Sequence, residues 1–598
     1  MTQRIVNDFS ITVGTENGSG SQTSNVTIVH ALFKMGIPVS GKNLLPSNIQ
    51  GLPTWYIIRI NKDGFTARRD EQEIVVAVNP NSFVRDQASV APGGVLYYDD
   101  SIKLPITRTD ITVYTMPIKE ITKKDPNIPN NLRDQVGNMV YVGVLAQMLG
   151  IDLEKINAAL NFHFKGKQKP IDLNFSVVKA AAEWAKEHLE KKDPYYVEPI
   201  NKTEGLIITD GNTAAALGSI YGGVQFAAWY PITPATSLAE ELNHYLPLLR
   251  KTEDGKNTFA VVQAEDELAA LGMAVGAGWS GLRAMTSTSG PGLSLMSEFA
   301  GLAYYTEVPV VIWDVVRIGP STGLPTRTSQ GDLGFAASIG HGDSDSVILM
   351  PGTVNECFEF GWRAFDIAER LQAPVFVMSD LDFGFNQWMS EPFKYPDTPM
   401  DRGKILWEED LEKLTDQWGR YFDKDGDGIP YRTVPGNRHP AGAYFTRGTG
   451  HDPYARYSEE GPVWEANMLR LKKKYETIKS YLPKPIIKTM DGAKIGIIAF
   501  GSTDPAIDEA CFLLEKEHGL KTDYMRLRAM PFVDEVKEFI KTHDKVYVVE
   551  MNRDGQLYRQ LIIAMPELAT KLVCTAYGDG MPPTARRICK EILAKDGK

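Results

Sequence analysis

Trp229-Tyr230-Pro231-Ile232-Thr233-Pro234-Ala235-Thr236 constrains how the middle of the chain can fold. Two prolines flank one threonine at the end of an apolar run. Proline fixes its own φ and pushes the residue before it toward extended geometry, so Tyr230 and Thr233 are both held stiffly. Upstream, Gly211-Asn212-Thr213-Ala214-Ala215-Ala216-Leu217-Gly218 reads as the start of a small-residue helix. A stiff loop after helix and apolar run belongs to an α/β unit, and it is a place to present a hydroxyl to a ligand. Taken alone, the stretch is equally a proline-stiffened turn.

Three more segments follow in order. Gln263-Ala264-Glu265-Asp266-Glu267 closes the apolar run Phe259–Val262. Thr286-Ser287-Thr288-Ser289-Gly290-Pro291-Gly292 comes next, and Gly319-Pro320-Ser321-Thr322-Gly323 follows the run from Pro309 to Ile318. With Tyr230-Pro231-Ile232-Thr233-Pro234 these make an ordered set of motifs that resembles the 2-oxoacid:ferredoxin oxidoreductases. The whole chain is similar to the fused gamma–alpha subunit of the two-subunit 2-oxoglutarate type.

That resemblance implies a thiamine diphosphate enzyme. For the 2-oxoglutarate type it implies CoA-dependent oxidative decarboxylation to succinyl-CoA and CO2 with reduction of ferredoxin, or the reverse. Pyruvate or a broad range of 2-oxoacids is the alternative within the class, and a non-catalytic scaffold subunit is the alternative outside it. A nicotinamide dehydrogenase fits poorly, because the first glycine loop departs from Gly-x-Gly-x-x-Gly and no acid closes a second strand about 20 residues on.

Residue by residue, the resemblance puts Glu265 at N1′ of the cofactor's aminopyrimidine. A carboxylate in a mostly apolar pocket near a helix N-terminus suits that task. Tyr230, Pro231, Ile232 and Ser289 fall on the cofactor-binding positions. Thr233 offers a hydroxyl near the reacting carbon and the substrate carboxylate. Arg317, at the C-terminal end of its strand, falls on a substrate-binding arginine, and a guanidinium suits a carboxylate. Arg327 is a second candidate, for the distal carboxylate of a dicarboxylic substrate. Asp266 and Glu267 are read as acids that complement the dipole of the following helix.

Thiamine enzymes hold the diphosphate through magnesium on a Gly-Asp-Gly motif with an asparagine further on. The copy near the end, Gly578-Asp579-Gly580, has no asparagine after it before Lys598 and reads as a turn. The expectation is that Mg2+, the diphosphate half-site and a [4Fe-4S] cluster belong to a separate beta subunit. The expected assembly is a heterotetramer with two of each subunit. The four cysteines, Cys357, Cys511, Cys574 and Cys589, form no Cys-x-x-Cys pair, which suits buried thiols better than a cluster.

Composition bounds the rest. The 598 residues are 43% hydrophobic and 23% charged, ordinary for a globular chain of several domains. A net charge of −11 argues against nucleic acid and anionic membrane as partners. No apolar run is long enough to span a bilayer and the first residues carry no apolar leader, so a cytoplasmic protein is expected.

The expected architecture is three α/β domains. Residues 1–175 form a gamma-type domain, 176–204 a linker with a charged, solvated helix, and 205–390 a doubly wound, pyrimidine-binding thiamine diphosphate domain. An irregular connecting segment, 391–485, leads to a transketolase C-terminal-like domain, 486–598. Near the start, Gly14 to Ser24 between a strand and a helix resembles a phosphate-cradling turn. Leu45 to Trp55 carries a second gamma-type motif, and the resemblance implies that this domain helps enclose coenzyme A. In the connecting segment, Asp423-Lys424-Asp425-Gly426-Asp427-Gly428-Ile429 is similar to the first half of a calcium loop. Asp423, Asp425 and Asp427 are its candidate ligands, although the twelfth position is Val434 rather than glutamate.

Overall fold

A strand with large apolar residues on both faces must be covered on both sides. Val310–Ile318 is covered in that way in the computed structural model, which describes residues 3–47, 51–126, 128–395 and 397–597. Val311, Trp313 and Val315 pack against helices Gly211–Tyr221, Thr236–Leu249 and Val354–Leu371. Val310, Ile312 and Val316 face the other way, onto helices Glu267–Trp279 and Ser297–Thr306. The parallel neighbours of this strand are Ala284–Thr288 and Pro374–Asp380.

The sheet reverses direction at Phe226–Trp229. Its crossover through helix Thr236–Leu249 leads to Ala260–Gln263 on one side. The next crossover, through helix Glu267–Trp279, returns to Ala284–Thr288 on the other side. A crevice at the carboxyl ends of strands around such a reversal is where doubly wound sheets bind ligands. The expected doubly wound domain is present.

The far edge is shared. Val347–Leu349 pairs with Pro374–Asp380 on one side and, antiparallel, with Ala529–Met530 on the other. That last strand comes from the C-terminal part of the chain. The C-terminal sheet runs in the order Ile486–Lys488, Thr522–Leu527, Ile495–Phe500, Lys545–Glu550, Leu572–Ala576, parallel except for the first strand. Its Ile498, Phe500, Met525 and Val548 join the same core as Val310 and Ile312.

The N-terminal sheet has six strands in the order Val39–Leu44, Pro53–Asn61, Asp8–Glu16, Gln72–Ala77, Val90–Asp99, Thr112–Met116. The first two pairings are antiparallel and the rest parallel. Residues 48–50 of the second gamma-type motif lie outside the described residues. The domain touches the central one through Lys42, whose Nζ donates to both oxygens of Asp382 at 2.7 and 2.8 Å and lies 3.8 Å from the centre of the Trp388 ring.

Two sequence expectations need correction here. The helix read as a solvated tether spans Gln168–His188, and its Ile171, Val177, Val178, Ala181 and Ala185 are buried in the N-terminal core. Small residues hide that face from a hydropathy reading. Gly143 on helix Met139–Leu149 permits the approach, because a Cβ there would fall 2.3 Å from the Val178 carbonyl oxygen.

The connecting segment is irregular only in part. It ends in a helix, Gly461–Ile478, whose buried face includes Leu471, Lys474, Tyr475 and Ile478. A lysine on the inner face breaks the apolar pattern, and its partner explains it. Glu307, fully buried at the end of helix Ser297–Thr306, accepts from Lys474 Nζ at 2.7 Å and from Arg470 Nη1 at 3.1 Å. Arg420 Nη2 adds a bond of 2.6 Å to the Glu307 carbonyl.

Candidate active site

The loop Tyr230–Ala235 leaves Phe226–Trp229 at the reversal point and is braced from two sides. Thr236 Oγ1 accepts from the Ile232 N–H at 3.0 Å, and Asn212 Nδ2 donates to the Pro234 carbonyl at 2.9 Å. The Thr233–Pro234 peptide is cis. Tyr230 and Pro231 are exposed, while Ile232 and Thr233 are half-buried.

Arg317 reaches this loop from the end of its own strand. Its Nη1 donates to the Thr233 carbonyl at 2.8 Å, and the residue is 7% exposed. Two positions 84 residues apart in sequence are thereby fixed together. Glu265 lies one strand away. Trp229 is opposite Gln263 in the ladder, and the Ala264 N–H donates to the Trp229 carbonyl at 2.8 Å, which sets Glu265 beside Tyr230. The Glu265 side chain is exposed and makes no ion pair among the described residues. Its neighbour Asp266 caps helix Glu267–Trp279, accepting from the Ala269 N–H at 2.6 Å, as a helix-end acid does.

Ser289 sits at the end of the third strand, fully buried, and its Oγ has no hydrogen-bond partner. Arg317 Nε is also without one. Glu265, Thr233, Arg317 and Ser289 thus lie at the carboxyl ends of four adjacent strands. An exposed carboxylate, a stiff hydroxyl-bearing loop and an arginine with unspent donors fit a nitrogen heterocycle and a carboxylate substrate.

The structure does not bring Arg327 to Arg317. On the antiparallel strand Leu324–Thr328 it is Thr328 that faces Arg317 across the ladder. Arg327 Nη1 donates instead to the carbonyls of Leu45 at 3.0 Å and Thr326 at 2.8 Å, at the junction with the N-terminal domain. Gly580 packs on Arg327, where a Cβ would come within 2.9 Å of the arginine Cβ. Next to it, Asp579 is bonded to Arg587 and accepts from the Met581 N–H.

The calcium-loop expectation is corrected. Lys404 Nζ lies 2.7 Å from Asp425 and 2.8 Å from Asp427, so an ammonium holds the place of a cation. Asp423 accepts from the N–H groups of Asp427 and Gly428. Among the described residues no group of three or more His, Cys, Asp or Glu is placed to hold a metal.

Three acids close to the site were missed in the sequence. Glu267, read as a helix-end acid, is buried and tucked against Gly292, where a Cβ would fall 2.6 Å from its Cγ. Asp314 stands in the middle of the apolar strand, fully buried. Asp332 is pressed against Gly290, where a Cβ would come 2.6 Å from its Oδ2. Burial lowers the Arg317 guanidinium, against the pull of Asp332 and Glu267. Burial raises Asp332 to about 7, against the pull of Arg317, and burial together with Asp332 holds Asp314 well above the carboxylate range. The signal was available: a single acid inside Val310-Val311-Ile312-Trp313-Asp314-Val315-Val316 is unusual in a strand covered on both faces.

Comparison with known proteins gives the family. The pyruvate ferredoxin/flavodoxin oxidoreductase family profile matches residues 10–184, and its thiamine diphosphate-binding counterpart matches 217–400. The 2-oxoglutarate synthase subunit KorA of Methanothermobacter thermautotrophicus is 36% identical over 59% of this chain and 89% of its own length. The alpha subunit of 2-oxoacid:ferredoxin oxidoreductase 2 from Aeropyrum pernix is 29% identical over 92% of both chains. This chain belongs to the 2-oxoacid:ferredoxin oxidoreductase alpha subunits. Within that family, a solved 2-oxoglutarate:ferredoxin oxidoreductase from Magnetococcus marinus superposes with a TM-score of 0.87. It is 28% identical and covers 98% of this chain and 99% of its own, with 2-oxoglutarate, coenzyme A and succinyl-CoA bound. Among the described residues no helix is long and apolar enough to cross a membrane.

Proposed function

We propose that this chain is the gamma-fused alpha subunit of a 2-oxoglutarate:ferredoxin oxidoreductase. The reaction is CoA-dependent oxidative decarboxylation of 2-oxoglutarate to succinyl-CoA and CO2 with reduction of ferredoxin, or its reverse. The subunit works in the cytoplasm with a beta subunit that carries Mg2+, the diphosphate half-site and a [4Fe-4S] cluster, two copies of each. The observation that carries the reading is the bond from Arg317 to the Thr233 loop, with Glu265 on the adjoining strand end. The full-length likeness to the M. marinus enzyme supports the substrate.

Each residue then has a task. Arg317 and the Thr233 hydroxyl hold the substrate carboxylate and fix the angle of the keto carbon. Glu265 holds a proton at N1′ of the aminopyrimidine, while Tyr230, Pro231 and Ile232 shape the surface on which that ring lies and Ser289 is buried behind it. Thiamine diphosphate, when bound, supplies the carbon nucleophile and the electron sink. Because the Arg317 guanidinium is mostly buried, its attraction for a carboxylate is screened less than at the surface.

Pyruvate or a broad range of 2-oxoacids is the second reading. It is favoured by Arg327, the candidate for a distal carboxylate, turning its Nη1 to two backbone carbonyls at the junction with the N-terminal domain. One experiment separates these readings. The chain is purified with and without its beta subunit, and viologen reduction with CoA is assayed with 2-oxoglutarate and with pyruvate. Activity in the complex only, greatest with 2-oxoglutarate, is expected. Equal rates with both acids favour the second reading. Activity of the chain alone overturns the shared site.

A further inference from the structure

Strand Leu324–Thr328 runs antiparallel to Val310–Ile318, and its register sets Thr328 directly opposite Arg317. Side chains at opposite positions of an antiparallel ladder share one face of the sheet, with Cβ atoms about 5 Å apart. Thr328 is 3% exposed, and among the described residues its Oγ1 has no hydrogen-bond partner. Nε of Arg317 has none either, while Nη1 of the same guanidinium is already spent on the Thr233 carbonyl.

A buried hydroxyl or guanidinium N–H left unpaired costs stability, so each calls for a reason. The simplest repair is a bond between the two, since a threonine oxygen can accept from an arginine N–H. That bond is not made. What both groups lack is an acceptor. One carboxylate oxygen accepts from several donors at once and carries the charge that a guanidinium attracts.

Thr328 is also held still from both sides. After it, Ser329 Oγ donates to the Met551 carbonyl at 3.1 Å. The Gln330 N–H donates to that carbonyl at 2.7 Å, and Gln330 Oε1 accepts from the Met551 N–H at 2.9 Å. Gln330 Nε2 donates to the Phe500 carbonyl at 2.7 Å. Before it, Arg327 is tied to the Leu45 carbonyl of the N-terminal domain. Two domains thus fix a hydroxyl that no described protein group uses, and a donor fixed but unpaired is preorganised for a ligand.

We propose that Thr328 binds substrate together with Arg317, its hydroxyl and the guanidinium Nε both donating to the carboxylate next to the keto carbon. The inference rests on the proposed role of Arg317. It adds the residue opposite, and it gives the C-terminal part of the chain the task of placing that hydroxyl. This carboxylate is common to all 2-oxoacids, so Thr328 serves affinity for the class rather than choice among its members.

The test compares Thr328→Val, which keeps the shape and drops the hydroxyl, with Thr328→Ser, which keeps the hydroxyl, both in the assembled enzyme. Thr328→Val is expected to raise KM for 2-oxoglutarate roughly tenfold to a hundredfold, the loss of a hydrogen bond to a charged group. The same factor should apply to every other 2-oxoacid turned over, with kcat moving far less. Thr328→Ser should bring KM most of the way back. Without substrate, Thr328→Val should unfold at the wild-type temperature or above it, because no bond within the protein is lost. A lower unfolding temperature shows a hydroxyl bonded within the protein and overturns the proposal, as does an unchanged KM. A rise confined to 2-oxoglutarate overturns the assignment to the shared carboxylate. Absence of wild-type turnover with any 2-oxoacid overturns the proposed function and this inference with it, whereas wild-type turnover with an unchanged KM in Thr328→Val overturns this inference alone.

Discussion

Glu307→Gln is the change expected to cost the fold most for the least alteration in shape. Glu307 is the one carboxylate among three cations, and both it and Lys474 are wholly shielded from water. Removing its charge strands Arg470 and Lys474 without a counter-ion, and breaking a buried pair from one side costs about 3–5 kcal/mol. Lys474→Met is a different case. Glu307 keeps Arg470, which grips both its oxygens, and the loss is close to one hydrogen bond, about 1 kcal/mol.

The pH behaviour of the pair explains the asymmetry. Burial raises the Glu307 carboxyl, but Arg470 and Lys474 outweigh it and draw the group down to about 2. Burial brings Lys474 down to about 8 despite Glu307. The carboxylate therefore contributes stability that is complete above its ordinary range and is lost as pH falls from about 4.5 to about 2. The lysine withholds stability while charged and returns it as pH rises through about 8 toward its ordinary value. Urea titration followed by amide exchange in Gly461–Ile478 measures the effect where it arises. Destabilisation by Glu307→Gln should exceed that by Lys474→Met by at least tenfold in the opening constant. Equal losses, or a larger loss from the lysine, would refute this account of the cluster.

Three further outcomes follow from the geometry. Arg317→Lys keeps a charge but loses the fork that spans Thr233 and the substrate, so kcat/KM should drop roughly tenfold to a hundredfold, about 1.5–3 kcal/mol; undiminished turnover would remove Arg317 from the site. Gly292→Ala drives a methyl to 2.2 Å from Thr288 Oγ1 and 2.6 Å from Glu267 Cγ, which should cost about 1–3 kcal/mol in thermal unfolding. Calcium added to the full chain should give no binding heat at Asp423–Asp427, whereas Lys404→Ala should admit weak binding with Kd of about 10⁻⁴ to 10⁻³ M.

The sequence was most legible where backbone chemistry is local. Prolines 231 and 234 announce the loop, and the near-continuous valine and isoleucine of the strands announce a sheet buried on both sides. Arg317 could be placed at a strand end because its strand is nine residues of apolar pattern. What stayed hidden depends on partners far along the chain. Nothing local in the sequence pairs Lys474 with Glu307, 167 residues away, and Asp425 and Asp427 read as metal ligands until Lys404 lies between them. Arg327 illustrates the limit of motif reading. Its neighbour Thr328, not Arg327 itself, is the one the ladder sets opposite Arg317.

The strand Ala529–Met530 has a bearing on where this polypeptide can be cut. A break between the N-terminal and central domains severs polar contacts, among them Lys42–Asp382, Arg327–Leu45, Asn43–Asn386 and the isolated bridge from Gly41 to Gln387, but no strand of the central sheet. A break after residue 485 removes the strand that covers Val347–Leu349. Three buried apolar residues, and the N–H and C=O groups of an inner sheet position, then become an open edge ready to pair with another molecule. The first division leaves the strand edges of the central sheet as they were, whereas the second leaves one that is sticky by construction.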